Sequence, residues 1–350
     1  MVSVNDTQSE SPDLRQTAVA RIQDAIRQAD ATVRAQHPWL SYQDTIGVLI
    51  LLVSLGGMLA LIPAYTNGWL PGWIVPPLAA ILASITHELE HDLIHQLYGR
   101  KRLWLQNLMM ALVWLARPST INPWIRRRLH FAHHKLSGTA ADVEERAITN
   151  GERWGVRRFL MTADAGVSVL TRALSPVASG RRMRLFGRAL AAYFPLGWLH
   201  WSIWWLFVAD LVVRSVSISF GLTLPWPAAV NSWLQDQQWL LVCWIGPNVL
   251  RSFCLHLVSS NMHYYGDIAE GDLMRQCQVL TKWYWWPAQL FCFNFGGTHA
   301  MHHFVVSQPF YLRQWVARDV LPVMRDAGVR FDDLGSMARA NRFGEATTPA

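Results

Sequence analysis

An uncharged apolar segment at residues 45–64 constrains the fold of this chain more than any other feature. A helix of about 20 apolar residues is long enough to cross the hydrocarbon core of a bilayer. The turn Asn67-Gly68 follows, and a second apolar segment then runs directly into a histidine cluster that begins at His87. Two further apolar segments lie later in the chain. We therefore predict an all-α integral membrane protein with four transmembrane helices, at about residues 45–64, 73–95, 189–213 and 239–259.

The amino-acid composition supports a chain that lies partly in lipid. Apolar residues make up 51% of the 350 residues and charged residues only 16%. Soluble domains carry about 25% charged residues. The chain also has 19 tryptophans, a residue that is enriched where a bilayer meets water. A soluble protein with a large aromatic core is the alternative. The four cysteines have no CxxC spacing, which argues against a disulfide scaffold or a zinc ribbon.

The distribution of positive charge predicts the orientation in the membrane. Residues 99–188 contain 17 Lys or Arg against five Asp or Glu, whereas the turn at residues 65–71 contains neither sign of charge. Because Lys and Arg accumulate in cytoplasmic segments, this basic segment and the N-terminus are both predicted to be cytoplasmic. The predicted organisation is a cytosolic amphipathic segment, a membrane domain and a cytosolic tail, at residues 1–44, 45–310 and 311–350.

Three clusters of closely spaced histidines predict a metal centre. Residues three and four apart share one face of a helix, so each cluster directs several imidazoles to one point. Histidine is the commonest metal ligand among side chains, and nine of the 13 histidines lie in these clusters. Since one metal ion is usually held by about four protein ligands, this number indicates two metal ions. The clusters are His87, His91 and His95, then His130, His133 and His134, then His299, His302 and His303.

The position of the clusters favours an enzyme over a transporter. All three fall on the cytoplasmic side of the predicted spans, in a cytosolic helical cap near the membrane surface. A metal transporter, the alternative outside the enzyme class, would place its ligands near the bilayer midplane. The first cluster alone also matches the HExxH motif of zinc proteases, in which Glu88 would act as a base. Such a protease has no use for the histidines of the other two clusters, so this alternative is weaker.

Several residues near the clusters are further candidates for the site. His263 follows the fourth predicted span and is a candidate metal ligand, and Asn261 could hold a water at the metal. Metal-bound histidines usually donate their other nitrogen to a carboxylate or carbonyl, a role that Glu88 could fill. We therefore take Glu88 and Asn261 as the candidate catalytic residues. The roles of two further residues stay open. His95 is either a metal ligand or a residue that supports one, and Arg251 either binds a carboxylate or forms a structural ion pair.

Taken together, these motifs resemble those of the membrane fatty acid desaturase and hydroxylase superfamily. The family pattern is an HxxxH motif followed by two HxxHH motifs, with an additional histidine after the last span. The resemblance covers residues 45–310 and extends to the branch of desaturase-like fatty acid decarboxylases that form terminal alkenes. It implies the metal ligands His87, His91, His130, His133, His134, His263, His299, His302 and His303.

The resemblance also implies cofactors, partners and a reaction. It implies two non-haem iron ions and O2 as cosubstrate, with electrons from an external donor such as a ferredoxin and its reductase. The substrate is expected to be a fatty acid or fatty acyl chain that reaches the site from membrane lipid, and no nucleic-acid partner is expected. Hydrogen abstraction would lead most simply to desaturation; the alternatives are oxidative decarboxylation to a 1-alkene and hydroxylation of an acyl chain or alkane. The expected location is a bacterial inner membrane, with the active site on the cytoplasmic side.

Overall fold

The regular elements of the protein are helices. The computed structural model describes residues 12–148, 151–173, 179–223 and 226–344, so the predicted N-terminal segment and tail lie partly outside the described residues. The helices of the first half are α1 (Pro12–Gln36), α2 (Gln43–Thr66), α3 (Val75–Ile94), α4 (Leu103–Ala116), α5 (Pro123–Leu136), α6 (Val143–Ala147), α7 (Val156–Ala163), α8 (Ala165–Ala173) and α9 (Ser179–Tyr193). Those of the second half are α10 (Leu196–Phe220), α11 (Ala228–Asp236), α12 (Gln238–Leu240), α13 (Gly246–Met262), α14 (Leu273–Gln276), α15 (Trp286–Leu290), α16 (Phe295–Phe304), α17 (Phe310–Asp326) and α18 (Gly335–Ala338).

Three helices in the described part of the chain are long and apolar enough to span a membrane. They are α2, α10 and the continuous helix Gln238–Met262, in which a π-helical turn at Leu241–Ile245 joins α12 to α13. Only 11% of the most apolar 18-residue stretch of α10 is buried, and only 28% of that of α2. Side chains such as Leu52, Val53 and Ile218 are exposed. Exposed apolar surface of this extent is expected where lipid is the solvent. The prediction of an all-helical membrane protein is confirmed to this extent.

The second predicted span, α3, differs from the other three. Its N-terminal half is apolar, but its C-terminal half carries acidic residues and histidines, and every residue from Thr86 to Ile94 is buried. Helix α3 packs against α2, α4 and α13, so protein surrounds this polar half. The structure thus supports three of the four predicted spans, because the polar residues of α3 make it a central helix rather than a lipid-facing one. The span predicted at residues 73–95 and the cytosolic location of the other helices remain predictions.

A hydrophobic core outside the three spans supports the last histidine cluster. Helix α1 packs along α17, and both contact α16. Ile22 and Ile26 of α1 are buried there, together with Leu312 and Val316 of α17. The spacing of four residues in each pair places them on one face of their helix. The segment predicted as a cytosolic tail therefore begins with a helix that packs onto the helix carrying His299.

Candidate metal centre

Four elements bring the predicted histidines together. Helix α3 with its C-terminal cap carries the first cluster, α5 the second and α16 the third, and His263 directly follows α13. The described residues contain two sets of potential ligand atoms, and within each set the atoms all lie within 4.8 Å of one another. We name them the first and second histidine groups. The first group is His91, His95, His130 and His302, and the second is His133, His263 and His303.

Imidazole nitrogens of the first group converge on one point. Nε2 of His95 lies 3.0 Å from Nε2 of His130 and 3.0 Å from Nε2 of His302. Nε2 of His134 lies 3.1 Å from the same atoms of His130 and His302, so His134 adjoins this group. A neutral imidazole has one N–H, so these mutual contacts cannot all be hydrogen bonds. Several lone pairs gathered at such distances fit a shared cation.

His91 completes the first group. Its ring centroid lies 4.3 Å from that of His302 and 4.7 Å from that of His130. Both ring nitrogens of His91 are buried and have no hydrogen-bond partner. Leaving a buried polar atom without a partner costs free energy, about 1–3 kcal/mol. A metal ion bound to one of the nitrogens would remove part of this cost.

Each imidazole of the second group is oriented from its outer side. Each outer nitrogen, Nδ1, lies within hydrogen-bond distance of an acceptor, which leaves the lone pair on Nε2. Nε2 of His303 is buried without a hydrogen-bond partner. Such hydrogen bonds from the outer nitrogen are typical of histidines that bind a metal. The pairs are His133 with Asp142 at 2.6 Å, His263 with the Ser259 carbonyl at 3.0 Å and His303 with Gln276 at 2.9 Å.

Asp142 shows how the local sequence builds the second group. Its Oδ1 atom caps α6 by accepting hydrogen bonds from the backbone N–H groups of Glu144 and Glu145. Aspartate is a favoured residue at this position of a helix. Its Oδ2 atom accepts the Nδ1 proton of His133. Because the cap holds the carboxylate in place, the carboxylate in turn holds the imidazole.

Burial keeps most of these imidazoles neutral. Burial is the main cause that lowers the pKa of His95 to about 2 and the pKa of His263 to about 3. Both therefore offer a lone pair to a metal ion near pH 7. His133 differs, since burial opposes its protonation but the hydrogen bond to Asp142 raises its pKa to about 9. A metal ion that binds His133 must displace a proton.

Helix α16 approaches α13 closely, and this approach brings the third cluster to His263. At Gly296 an added Cβ atom would lie 2.8 Å from Cγ1 of Val258 on α13. Real Cβ atoms do not come so close, so only glycine fits there without a shift of α13. The same turn of α16 leads to His299, whose ring centroid is 5.3 Å from that of His263.

A cavity lies beside both groups. Histidines from α3, α5 and α16 line it, together with apolar side chains that include Leu255, Phe295 and Ile148. Glu144 and Glu145 contribute its acidic part. The lining of the cavity thus combines candidate metal-binding nitrogens with hydrocarbon. This combination suits an apolar molecule that reacts at a metal.

The family model for fatty acid desaturases matches residues 67–335, which is more than half of the chain and includes every predicted ligand. The chain belongs to the fatty acid desaturase family. The resemblance predicted from the histidine motifs is thereby confirmed. Membership implies an oxidoreductase with a fatty acyl substrate, and with the three apolar helices it fits a membrane protein. Comparison with curated proteins found no match.

Three predicted ligands of this desaturase-family site, His87, His134 and His299, lie outside both groups, and His87 differs from the other two in its contact with an arginine. An Nη1 atom of Arg117 lies 3.3 Å from Nδ1 of His87. A guanidinium can only donate, so Nδ1 accepts this hydrogen bond and the proton of the neutral ring is on Nε2. In this tautomer His87 offers no lone pair to a metal ion, and its Nε2 atom is buried without a hydrogen-bond partner. The histidine pair that α3 contributes to the first group is His91 and His95.

His299 and Asn261 occupy different positions relative to the two groups. The ring centroid of His299 lies 5.1 Å from those of His91 and His303, so His299 lies between the groups. Asn261 donates from Nδ2 to the carbonyl of Leu257 at 2.6 Å, within α13. Its Oδ1 atom is buried without a hydrogen-bond partner.

Glu88 lies in a buried charged cluster that joins α3 to α17. An Nη2 atom of Arg313 lies 3.1 Å from Glu88 Oε2 and 3.5 Å from Asp92 Oδ1. All three side chains are buried. The observed partner of Glu88 is thus an arginine rather than a histidine. These contacts fix the rotation of α3 and with it the direction of its histidines.

The arginines and the glutamine that support this centre were missed by reasoning from the sequence. Arg313 is separated from Glu88 by 225 residues, and Gln276 from His303 by 27, so no local spacing connects the partners. One signal was available, since acidic residues in an otherwise apolar helix require buried cations. The acidic residues of α3 therefore predict a buried cationic partner near Glu88 and Asp92, but they do not identify it.

Proposed function

We propose that this desaturase-family protein is an O2-dependent, non-haem diiron oxidoreductase that abstracts hydrogen from a fatty acyl chain, and that its reaction is desaturation. The observation that carries the proposal is the pair of adjacent histidine groups, drawn from four separate elements. One such group would fit a single zinc ion, but two groups beside a common cavity fit two ions. Imidazole ligands suit iron as well as zinc or copper. Zinc has no redox chemistry, and membership of the desaturase family favours iron over copper for activating O2.

The proposed ligand sets follow the two groups. His95 takes the place that the motif alone predicts for His87, because Arg117 occupies Nδ1 of His87. When bound, the irons would supply the oxidising power needed to break an unactivated C–H bond. We assign His91, His95, His130, His134 and His302 to one iron and His133, His263, His299 and His303 to the other.

The chain's own residues would bind the acyl chain and keep water away from it. Leu255 and Phe295 present hydrocarbon to the cavity beside the histidines. A chain held against them would turn its C–H bonds toward the metal-binding side. Desaturation requires two neighbouring carbons to reach that side in turn, and a fixed, apolar wall serves this requirement.

Glu88 and Asn261 are proposed to position other groups. Glu88 would act through Arg313, which fixes the rotation of α3. Asn261 lies two residues before His263, and its buried Oδ1 atom needs a hydrogen-bond donor. A water beside the second group would supply that donor. This supports the role of holding a water that the position of Asn261 predicts.

We further propose that an external carrier such as a ferredoxin, kept reduced by its reductase, delivers electrons at the cytoplasmic side of a bacterial inner membrane. Arg100, Lys101 and Arg102 are exposed after α3, and Lys135 is exposed beside His134. Exposed cations near the first group would attract an acidic carrier and speed its association.

The test combines metal analysis with product analysis of the purified full-length protein. We expect about two irons per chain and, with O2 and a reduced ferredoxin, a fatty acyl product with one new double bond by mass spectrometry. Active protein that contains zinc alone would contradict the diiron assignment. An alkene one carbon shorter, or a new hydroxyl group, would replace desaturation by decarboxylation or hydroxylation within the same class.

A further inference from the structure

Arg251 is a buried cation in the middle of the last membrane-spanning helix. Only 1% of its surface is exposed, and its Nε and Nη1 atoms have no hydrogen-bond partner. Its Nη2 atom donates to the hydroxyl of Ser252 at 2.9 Å, and that hydroxyl contacts the hydroxyl of Ser119. No ion pair within 4.0 Å joins Arg251 to an acidic residue in the described part of the chain. The structural ion pair considered from the sequence is therefore not found there.

The acidic residues around Arg251 are already engaged by other arginines. Glu90 pairs with both Arg117 and Arg126, and Arg126 also pairs with Glu144. The two carboxylates are thus paired with Arg117 and Arg126, and neither pairs with Arg251. A buried charge without a partner costs several kcal/mol, so one more anion is needed to complete this cluster. No protein group in the described ranges supplies it.

Arg251 lies close along α13 to a residue that lines the cavity beside the metal centre. Leu255, which lines the cavity, is four residues further along α13, or about 6 Å along the helix axis. His87 lines the same cavity from α3. An anion at Arg251 would therefore lie near the apolar wall against which an acyl chain is proposed to bind.

We infer that Arg251 binds the carboxylate of a free fatty acid, with the Ser119 and Ser252 hydroxyls beside it. This inference rests on the proposed function for the acyl chain, and it narrows the substrate from any acyl compound to a free acid. A thioester or a hydrocarbon carries no negative charge at that end and would leave the guanidinium unpaired. The carboxylate would accept hydrogen bonds from the nitrogen atoms that have no partner, and charge-assisted bonds of this kind are the strong ones.

Binding of a charged and an uncharged ligand of equal length tests the inference. Radiolabelled dodecanoic acid and methyl dodecanoate would be titrated onto the purified full chain in lipid nanodiscs at pH 8, by scintillation proximity. We expect the wild type to prefer the acid, and Arg251→Gln to raise the Kd of the acid by about 10- to 100-fold while the Kd of the ester stays unchanged. Arg251→Lys keeps the charge and should lose less than Arg251→Gln.

Arg158→Gln is the matched control. Arg158 is also buried in contact with the last span, but carbonyl groups of Glu152 and Ser260 accept its hydrogen bonds. It should keep the wild-type preference for the acid. A folded Arg251→Gln protein with an unchanged ratio of acid to ester affinity would overturn the inference; should that variant not fold, an unchanged ratio in Arg251→Lys would do so. Inorganic phosphate that competes as well as the acid would also overturn it. Iron content is read separately: active protein without iron would refute the diiron proposal, and a preference for the acid in that protein would still support the role of Arg251.

Discussion

The two histidine groups lie side by side but are held in different ways. In the second group every outer nitrogen meets an acceptor, from Asp142, Gln276 or a backbone carbonyl. In the first group Glu144 accepts from His130, but the outer nitrogens of His91 and His302 are buried without a partner. Hydrogen bonds therefore orient the second group independently of a metal, whereas the first relies more on how its helices pack.

For the first group, the packing of α3 replaces part of the missing hydrogen bonds. Arg313 reaches α3 from α17 and pairs with Glu88, three residues before His91, and with Asp92, one residue after it. When the rotation of a helix about its axis is fixed, its side chains point in fixed directions even where no partner contacts those side chains. The comparison teaches that one centre can combine ligands oriented by hydrogen bonds with ligands oriented by the backbone.

Removing one ligand from either group should have the largest effect. His302→Ala and His133→Ala are each expected to abolish turnover, because each removes an imidazole from a different group while the apolar spans stay intact. Product formation by mass spectrometry and membrane fractionation measure the two properties. His37→Ala is the control, since His37 packs on Trp315 away from both groups, and it should stay active. Normal turnover in His133→Ala or His302→Ala would remove that histidine from the ligand set.

The next largest difference is expected between His95→Ala and His87→Ala. His95 contributes a nitrogen to the first group, whereas His87 accepts a hydrogen bond from Arg117. His95→Ala should lose about half of the bound iron and nearly all turnover, and His87→Ala should keep most of the iron. Iron per chain, measured by plasma mass spectrometry, separates them. The reverse result would restore the HxxxH pair that the motif alone suggests.

This pair of variants also marks the limit of what the sequence predicts. The apolar segments predict three of the helices that can span a membrane, and the spacing of histidines predicts the convergence of α3, α5 and α16. The sequence could not distinguish His87 from His95 as the second ligand on α3, because both are four residues from His91. In our proposal the contact between Arg117 and His87 decides between them, and a contact across 30 residues of chain has no local pattern.

Replacement of the charged acceptor in the second group should have an intermediate effect. Asp142→Asn leaves a neutral side chain beside His133, and we expect iron affinity to fall by about 10- to 100-fold. The pKa also predicts a pH dependence, because Asp142 raises the pKa of His133 to about 9 in the metal-free protein. Iron must displace that proton, so affinity should rise with pH up to about 9 and then level off.

The same titration in the variant checks the cause. Without the Asp142 carboxylate, burial still lowers the pKa of His133 and only the weaker effects of Glu144 and Glu145 raise it, so the pKa falls and the rise in iron affinity should move to lower pH. Iron titration of the metal-free protein between pH 6 and 9, in wild type and variant, measures both curves. An identical pH dependence in the two proteins would mean that Asp142 does not set the protonation of His133.

The smallest effect is expected at Gln276, the neutral acceptor of the second group. Gln276→Leu removes the acceptor for His303 but no charge, and a neutral hydrogen bond contributes about 1 kcal/mol, so iron affinity should fall only about fivefold. Gln276→Glu puts a carboxylate at the same position and should instead strengthen binding, since carboxylates are the stronger acceptors. Iron titrations at one pH compare both variants with Asp142→Asn. If Gln276→Leu lost as much affinity as Asp142→Asn, the orientation of the imidazole rather than the charge of its acceptor would determine how the second group binds iron.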